Sequence, residues 1–239
     1  MDRKTAILRS ANEHFASHGF RGASLRDIAR DAQVSLTLLN HHFGSKLDLL
    51  RAVIHAHRDV LEQCVAQSRE LMKPGAPPLR LDSVVGAWLD VMQAAAVDSD
   101  GRHFLRLLGR MVDDPQAEAS AVVRGSIEEA ALVMMDAVCA SYPGATRRQA
   151  AIAYLCVTTS MIKCVTAGRR LGQLEVLGQP QSPSEPAPVP AAAADAPPAG
   201  DDDGATNEAG GDAEPGSPPP ERELLLRFLV GGVEALVRA

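Results

Sequence analysis

The run S-L-R-D-I-A-R-D-A-Q-V-S-L-T-L-L-N-H-H-F-G-S-K, residues 24–46, limits the folds open to this chain more than any other stretch. Ser24 with Asp27 three residues on is a capping-box-like helix start, and Leu25, Ile28 and Ala29 form an apolar stripe at helical spacing. A short helix over 24–31 is the expectation. Ala32, Gln33 and Val34 break the stripe, and Ser35 can cap a second short helix that turns Leu38 and Leu39 inward. Two short helices across a tight turn form a helix-turn-helix. Its second helix enters the major groove of DNA by its first residues, while the first helix crosses the backbone.

Leu36, Thr37, Asn40 and His41 should then be exposed. Asn40 offers a donor and an acceptor side by side, matching an adenine edge or a phosphate; Thr37 offers a hydroxyl and a methyl, and Leu36 can meet a thymine methyl. His41, His42 and Lys46 suit phosphate oxygens. Ser45 and Asp48 repeat the capping pattern, so Lys46 opens a further helix whose free N–H groups also favour an anion. With Arg26 on the outer face of the first helix and Ser35 at the start of the second, the candidate DNA-contacting set is Arg26, Ser35, Leu36, Thr37, Asn40, His41, His42 and Lys46.

These residues resemble the TetR family of bacterial transcriptional repressors. The matches are Arg26, Asp27, Ile28, Ala29, Val34, Ser35, Leu39, His42, Phe43 and Lys46. Two positions depart from the family pattern. Gln33 replaces the usual Gly, so a left-handed turn there implies a strain of about 1 kcal/mol. Asn40 replaces a common Tyr, and N-H-H-F-G-S-K resembles the fatty-acid-responsive and acyl-CoA-responsive subset. The resemblance implies a helical body enclosing a ligand pocket, a two-fold dimer, and a connecting helix whose movement carries ligand occupancy to the DNA.

The net charge of −6 opposes nucleic-acid binding until it is divided along the chain. Residues 179–220 hold eight acids and no Lys or Arg, so without them the remainder is +2. Residues 1–58 hold nine Lys or Arg against five acids, with six of the seven histidines, and the helix-turn-helix lies at this basic end. Hydrophobic residues make up 46% of the chain but aromatics only 3%, and β-branched alternation is scarce. The expected fold is therefore all-α: a three-helix head over 1–46, then a helical body over 47–178 and 221–239, with about nine helices in all.

The first helix is expected over 3–18, with Ile7, Leu8, Ala11 and Phe15 on one face and Gly19 as its stop. Unbroken periodicity through Leu47, Leu50, Ile54, Leu61, Val65 and Ser68 predicts one long helix over 46–72, ended by Pro74, Gly75, Pro77 and Pro78. Further helices are expected over 79–97, 101–112, 115–140 and 146–171, with Pro115 in a first turn. Residues 179–220 hold eleven of the sixteen prolines and too little apolar surface to offset ordering, which predicts a disordered insertion. The last helix, 221–238, carries two apolar stripes. One would pack on 146–171 and the other on the same surface of a second subunit, with Gly168, Gly231 and Gly232 permitting close approach.

Within the body, Trp88, Phe104, Met111, Met134, Met135, Tyr154 and Met161 either line an adaptable apolar pocket or belong to ordinary core. Arg102, Arg106 and Arg110 recur four apart, so one of them could hold an acidic ligand head; a solvated basic face is the plainer alternative. The cysteines at 64, 139, 156 and 164 lack metal spacing and read as reduced, buried thiols of a cytoplasmic protein. His14 and His18 read as solvated surface histidines, and no metal or cofactor is expected. Met1 to Lys4 leads straight into an amphipathic helix rather than a signal peptide, and the uncharged run 149–162 falls short of a membrane span.

Three functional classes follow: a ligand-released repressor, an α-helical enzyme, and an interaction module without DNA recognition. Nucleophile elbows, phosphate loops and H-E-x-x-H are all missing, which disfavours the second. The basic head disfavours the third. The expected partners are double-stranded DNA, a second copy of the chain and a small-molecule effector, and no membrane.

Overall fold

The computed structural model describes residues 2–111, 117–178 and 220–238. Among them are ten helices and no strand: α1 Arg3–Gly22, α2 Leu25–Asp31, α3 Leu36–Phe43, α4 Lys46–Ala56, α5 Arg58–Leu71, α6 Leu81–Ala95, α7 Ser99–Met111, α8 Ala117–Ser141, α9 Arg147–Gly178 and α10 Pro220–Arg238. Residues 1–168 and 220–239 form one compact unit, and residues 169–219 are a second. The expected insertion over 179–220 and the first-turn role of Pro115 lie outside the described residues, apart from Pro220, where α10 begins.

Gly19 acts as the expected stop. Its φ of 71° and ψ of 176° are not helical, and they kink the chain before one last turn to Gly22. Ile7, Ala11 and Phe15 are fully buried above α2 to α4, and the same continuous core runs into the body through Leu49, Leu50 and Val53 of α4. Burying each of the Ile, Phe, Leu and Val side chains among them contributes about 1.5–3 kcal/mol.

The single helix expected over 46–72 is two helices, α4 and α5, parted at His57. No Pro or Gly causes the break; a tertiary contact does. The His57 ring stacks on Phe104 of α7, with centroids 4.6 Å apart and planes 11° apart. Its Nε2 lies 3.3 Å from Asp100 Oδ2, and its Nδ1 lies 3.0 Å from Val53 O. Asp100 also accepts from the buried Asn12 Nδ2 of α1, at 2.7 Å through Oδ1 and 2.8 Å through its backbone oxygen. One polar cluster thus joins α1, the α4–α5 break and the first turn of α7. The corner before α7 is equally tight: a Cβ on Gly101 would stand 1.8 Å from Ala95 O, so only glycine fits there.

The body core holds Trp88, Phe104, Met111, Met134 and Met161, all almost fully buried. Trp88 Nε1 donates to Ser68 Oγ at 2.7 Å, and Ser68 Oγ donates to Cys64 O at 2.8 Å, so the buried polar atoms of this trio have partners. Burial pushes the Cys64 thiol and the Tyr154 phenol each up to about 12. The expectation of four buried thiols needs correction. All four are free, but Cys139 and Cys164 are half-buried and Cys156 is exposed, because it sits on an apolar face of α9 that no described residue covers.

The expected pairing of α10 with α9 is joined by a second contact. α10 also packs on α6, where Gly86 admits Arg222 and Leu226 at 3.4 and 3.9 Å from a notional Cβ. Arg222 binds Asp90 with two hydrogen bonds, at 2.7 and 2.8 Å. α9 flanks α10 across a groove and is tied to it by Gln149 Nε2, which donates to Leu236 O at 3.0 Å. Gly231 and Gly232 face open space, and Gly168 lies beyond the described side chains.

Candidate nucleic-acid interface

Three hydroxyl caps build the reading head. Ser24 Oγ accepts from Asp27 N at 3.5 Å, Ser35 Oγ from Leu38 N at 3.1 Å and Ser45 Oγ from Asp48 N at 3.1 Å. Ser45 Oγ also donates to Asp48 at 2.6 Å, and this bond, with a second from Arg51, holds the Asp48 carboxyl below the usual range.

The turn from α2 to α3 is a Schellman motif. Val34 N donates to Ala29 O at 2.9 Å and Gln33 N to Arg30 O at 3.0 Å. Gln33, at φ 56°, is the one described non-glycine residue with positive φ, so the turn does demand the left-handed conformation expected of it.

On α3, Leu39 and Phe43 are buried and Thr37, Asn40, His41 and His42 are exposed. Leu36 and Leu38 are both half-buried, so the division between inward and outward leucines is less sharp than periodicity implies. Arg26 is exposed on α2, and Ser35 is exposed at the α3 cap. All eight candidate DNA-contacting residues therefore belong to one run of α2, α3 and the α4 start.

Lys46 is less free than its position suggests. Its Nζ donates to Arg21 O at 3.3 Å and lies 4.9 Å from the Phe20 ring centroid, and burial lowers its pKa. It therefore also braces α4 against the kinked end of α1. His14 is likewise not a solvated histidine: its Nε2 lies 2.8 Å from Asp31 Oδ2, tying α1 to α2. That bond, with help from Arg30, lowers the Asp31 pKa. Sequence reasoning missed both contacts because their partners stand 25 and 17 residues away.

The body candidates do not converge on a cavity. Trp88, Phe104, Met111, Met134 and Met161 are core, Tyr154 is half-buried, and none of the six lines the clefts between α4–α5 and α8, between α9 and α10 or between α7 and α9. The three arginines of α7 bond to backbone carbonyls instead. Arg102 reaches Ala96 O and Val97 O at 2.7 and 2.8 Å, Arg106 reaches Thr166 O at 3.0 Å, and Arg110 reaches Ser17 O at 3.0 Å.

A capped helix pair with an exposed polar face, followed by a helical body, now meets two family models. Residues 7–53 match the model for bacterial regulatory proteins of the tetR family, and residues 86–187 match a tetracyclin repressor-like C-terminal domain. The chain belongs to the TetR family. TetR-family proteins are transcriptional regulators rather than enzymes. Over 122 residues the chain is 32% identical to the HTH-type transcriptional activator FasR of Mycolicibacterium smegmatis, covering 51% of this chain and 53% of FasR. It thus spans about half the length of that relative. Among solved structures, AibR in complex with isovaleryl coenzyme A and operator DNA matches with TM-score 0.54 at 14% identity, covering 69% of this chain and 86% of AibR. The regulator FadR from Bacillus subtilis in complex with stearoyl-CoA matches with TM-score 0.50 at 15% identity, covering 71% of this chain and 88% of FadR. At these identities the two structures show the fold this TetR-family chain shares with them.

Proposed function

We propose that this chain is a cytoplasmic, homodimeric repressor that binds an inverted-repeat operator and is released by a small acyl ligand, a fatty acid or an acyl-CoA. The observation that carries the DNA half is the exposed row Thr37, Asn40 and His41 on a capped α3, beside Arg26 at the basic end of the chain. Arg26, His42, Lys46 and backbone N–H groups supply salt-dependent phosphate affinity, while Leu36, Thr37 and Asn40 choose bases.

The dimer rests on α9 and α10. Ile152, Leu155 and Cys156 of one helix and Phe228, Gly232 and Leu236 of the other line a mainly apolar groove of about 700 Å3. Phe228 is 71% exposed and Leu155 52%, which a second copy of the same face would cover. Residues 147–167 of α9 are also long and apolar enough to cross a membrane, with a mean hydropathy of 1.5. The groove shared with α10 favours a protein partner over lipid for that face.

The ligand half is supported by an apolar-floored cleft of about 430 Å3 between α4–α5 and α8. Ile54, Leu61, Val65 and Val122 line it, with Arg51, Arg58, Glu62 and Glu129 around them, and Arg58 pairs with Glu62 at 3.3 Å. An acyl chain suits the apolar group. FasR is named an activator, and that observation favours a second reading in which the bound dimer recruits rather than blocks transcription.

Fluorescence anisotropy with an inverted repeat from the promoter beside its own gene tests the proposal. Tight binding at low salt, relieved by an acyl-CoA, is the expected outcome. Flat titrations with genomic and random duplexes at low ionic strength would overturn it, and run-off transcription separates repression from activation.

A further inference from the structure

A shallow cleft of about 370 Å3 lies between α7 and α9 and is lined by Arg106, Arg110, Lys163, Gly109, Ile162 and Thr166, with Ala16 of α1 at one side. Three of these residues are cations and none is acidic. The helices come close here, since a Cβ on Gly109 would stand 3.0 Å from Ile162 Cγ2. Arg106 and Arg110 are one turn apart on α7, and both line the cleft.

Each guanidinium is held in place by the protein. Arg106 Nη2 donates to Thr166 O at 3.0 Å, and Arg110 Nη1 donates to Ser17 O at 3.0 Å and Ala16 O at 3.4 Å. A guanidinium carries five N–H donors, so most remain available on both. Neither arginine meets a carboxylate among the described residues, and Lys163 has no hydrogen bond or ion pair there. In the same bundle Arg69, Arg147 and Arg222 pair with Glu129, Asp136 and Asp90 at 2.6, 2.5 and 2.7 Å.

Two anchored forks and one unpaired ammonium, counted among the described residues, match an anion with several oxygens around a concavity. Paired guanidinium N–H groups fit phosphate oxygens bidentately, and a lysine adds a point charge. A carboxylate brings one negative charge, whereas a phosphate monoester brings about 1.5 to 2.

We propose that this cleft binds a phosphate group carried by a small molecule, and that its occupancy bears on the DNA-reading head because Arg110 is shared between the cleft and α1. The inference rests on the reading of the chain as an effector-responsive regulator, and it adds the chemistry of one part of the effector and the place where that part docks.

The test titrates the full chain with inorganic pyrophosphate and with coenzyme A by calorimetry and thermal shift, against sodium chloride at matched ionic strength. The wild type binds and is stabilised beyond the salt control. Lys163→Gln and Arg106→Gln, which leave the Arg110 bonds to α1 intact, weaken that binding by about tenfold or more, the loss of one charge-assisted contact. Tighter binding of coenzyme A than of pyrophosphate assigns the phosphate to a nucleotide carrier; pyrophosphate binding alone assigns it to a free anion. No wild-type response beyond salt, or equal binding by both variants, overturns the site. So does a variant that keeps pyrophosphate but loses affinity for random duplex, which would make the patch a DNA contact. Operator binding without any anion, measured in parallel, reports separately on the regulator reading.

Discussion

Gln33 holds a backbone conformation that glycine adopts at little cost, and its side chain is exposed at the turn. Gln33→Gly should therefore raise stability by about 1 kcal/mol in urea unfolding, with operator specificity unchanged. Asn40→Ala should cost about 1–3 kcal/mol at a single base step if the amide pairs bidentately; unchanged preference at every operator position would move Asn40 to the phosphates. Lys46→Ala should weaken all duplexes alike and, because Nζ also binds Arg21 O, lower the melting temperature too. The His14–Asp31 bond has a defined pH sign. Asp31 has a lowered pKa, so the pair stabilises above the usual carboxylate range and loses this effect as pH falls through the lowered value. His14→Gln should narrow the melting-temperature difference between neutral and strongly acidic solution. The caps and the outward face of α3 were legible in the sequence because both are set within a turn or two of chain. The partners of His14 and Lys46 were not, since only the folded head brings them near.

The α4–α5 break shows the same limit for whole helices. Leu47, Leu50, Ile54, Leu61, Val65 and Ser68 keep helical period straight through His57, so a local pattern carries no sign of an interruption set by Phe104 and Asp100. The other helices were legible, with most boundaries displaced by a few residues where tertiary corners decide them, while α9 runs on to Gly178, well past the expected end at 171. Gly101 is one such corner, and Gly101→Ala should destabilise the fold by more than about 1–3 kcal/mol, because the new methyl meets backbone rather than a movable side chain. Thermal melting against a surface control such as Gly125→Ala, which faces open space, isolates that cost. The seating of α10 on α6 was not legible either, since two apolar stripes say that both faces are buried but not against what.

For the molecule as a whole, the uncovered face of α9 and α10 predicts a homodimer in sedimentation at micromolar concentration. Phe228→Asp should shift it to monomer and weaken operator binding, while a single reading head still tolerates the change. Two heads on a two-fold axis require half-sites about one DNA turn, 34–36 Å, apart. On the proposed function, what travels between body and heads would then depend on His57. A straight rod would hand any tilt of its far end to the recognition helix in full, but a rod jointed in the middle hands on only what its side support lets through. Phe104 and Asp100 stand where that support would be, so on the proposed function α7 would act as the clutch. Cutting it with His57→Ala should leave a protein that still grips its operator and still takes up its effector, and no longer lets go of the first when it meets the second.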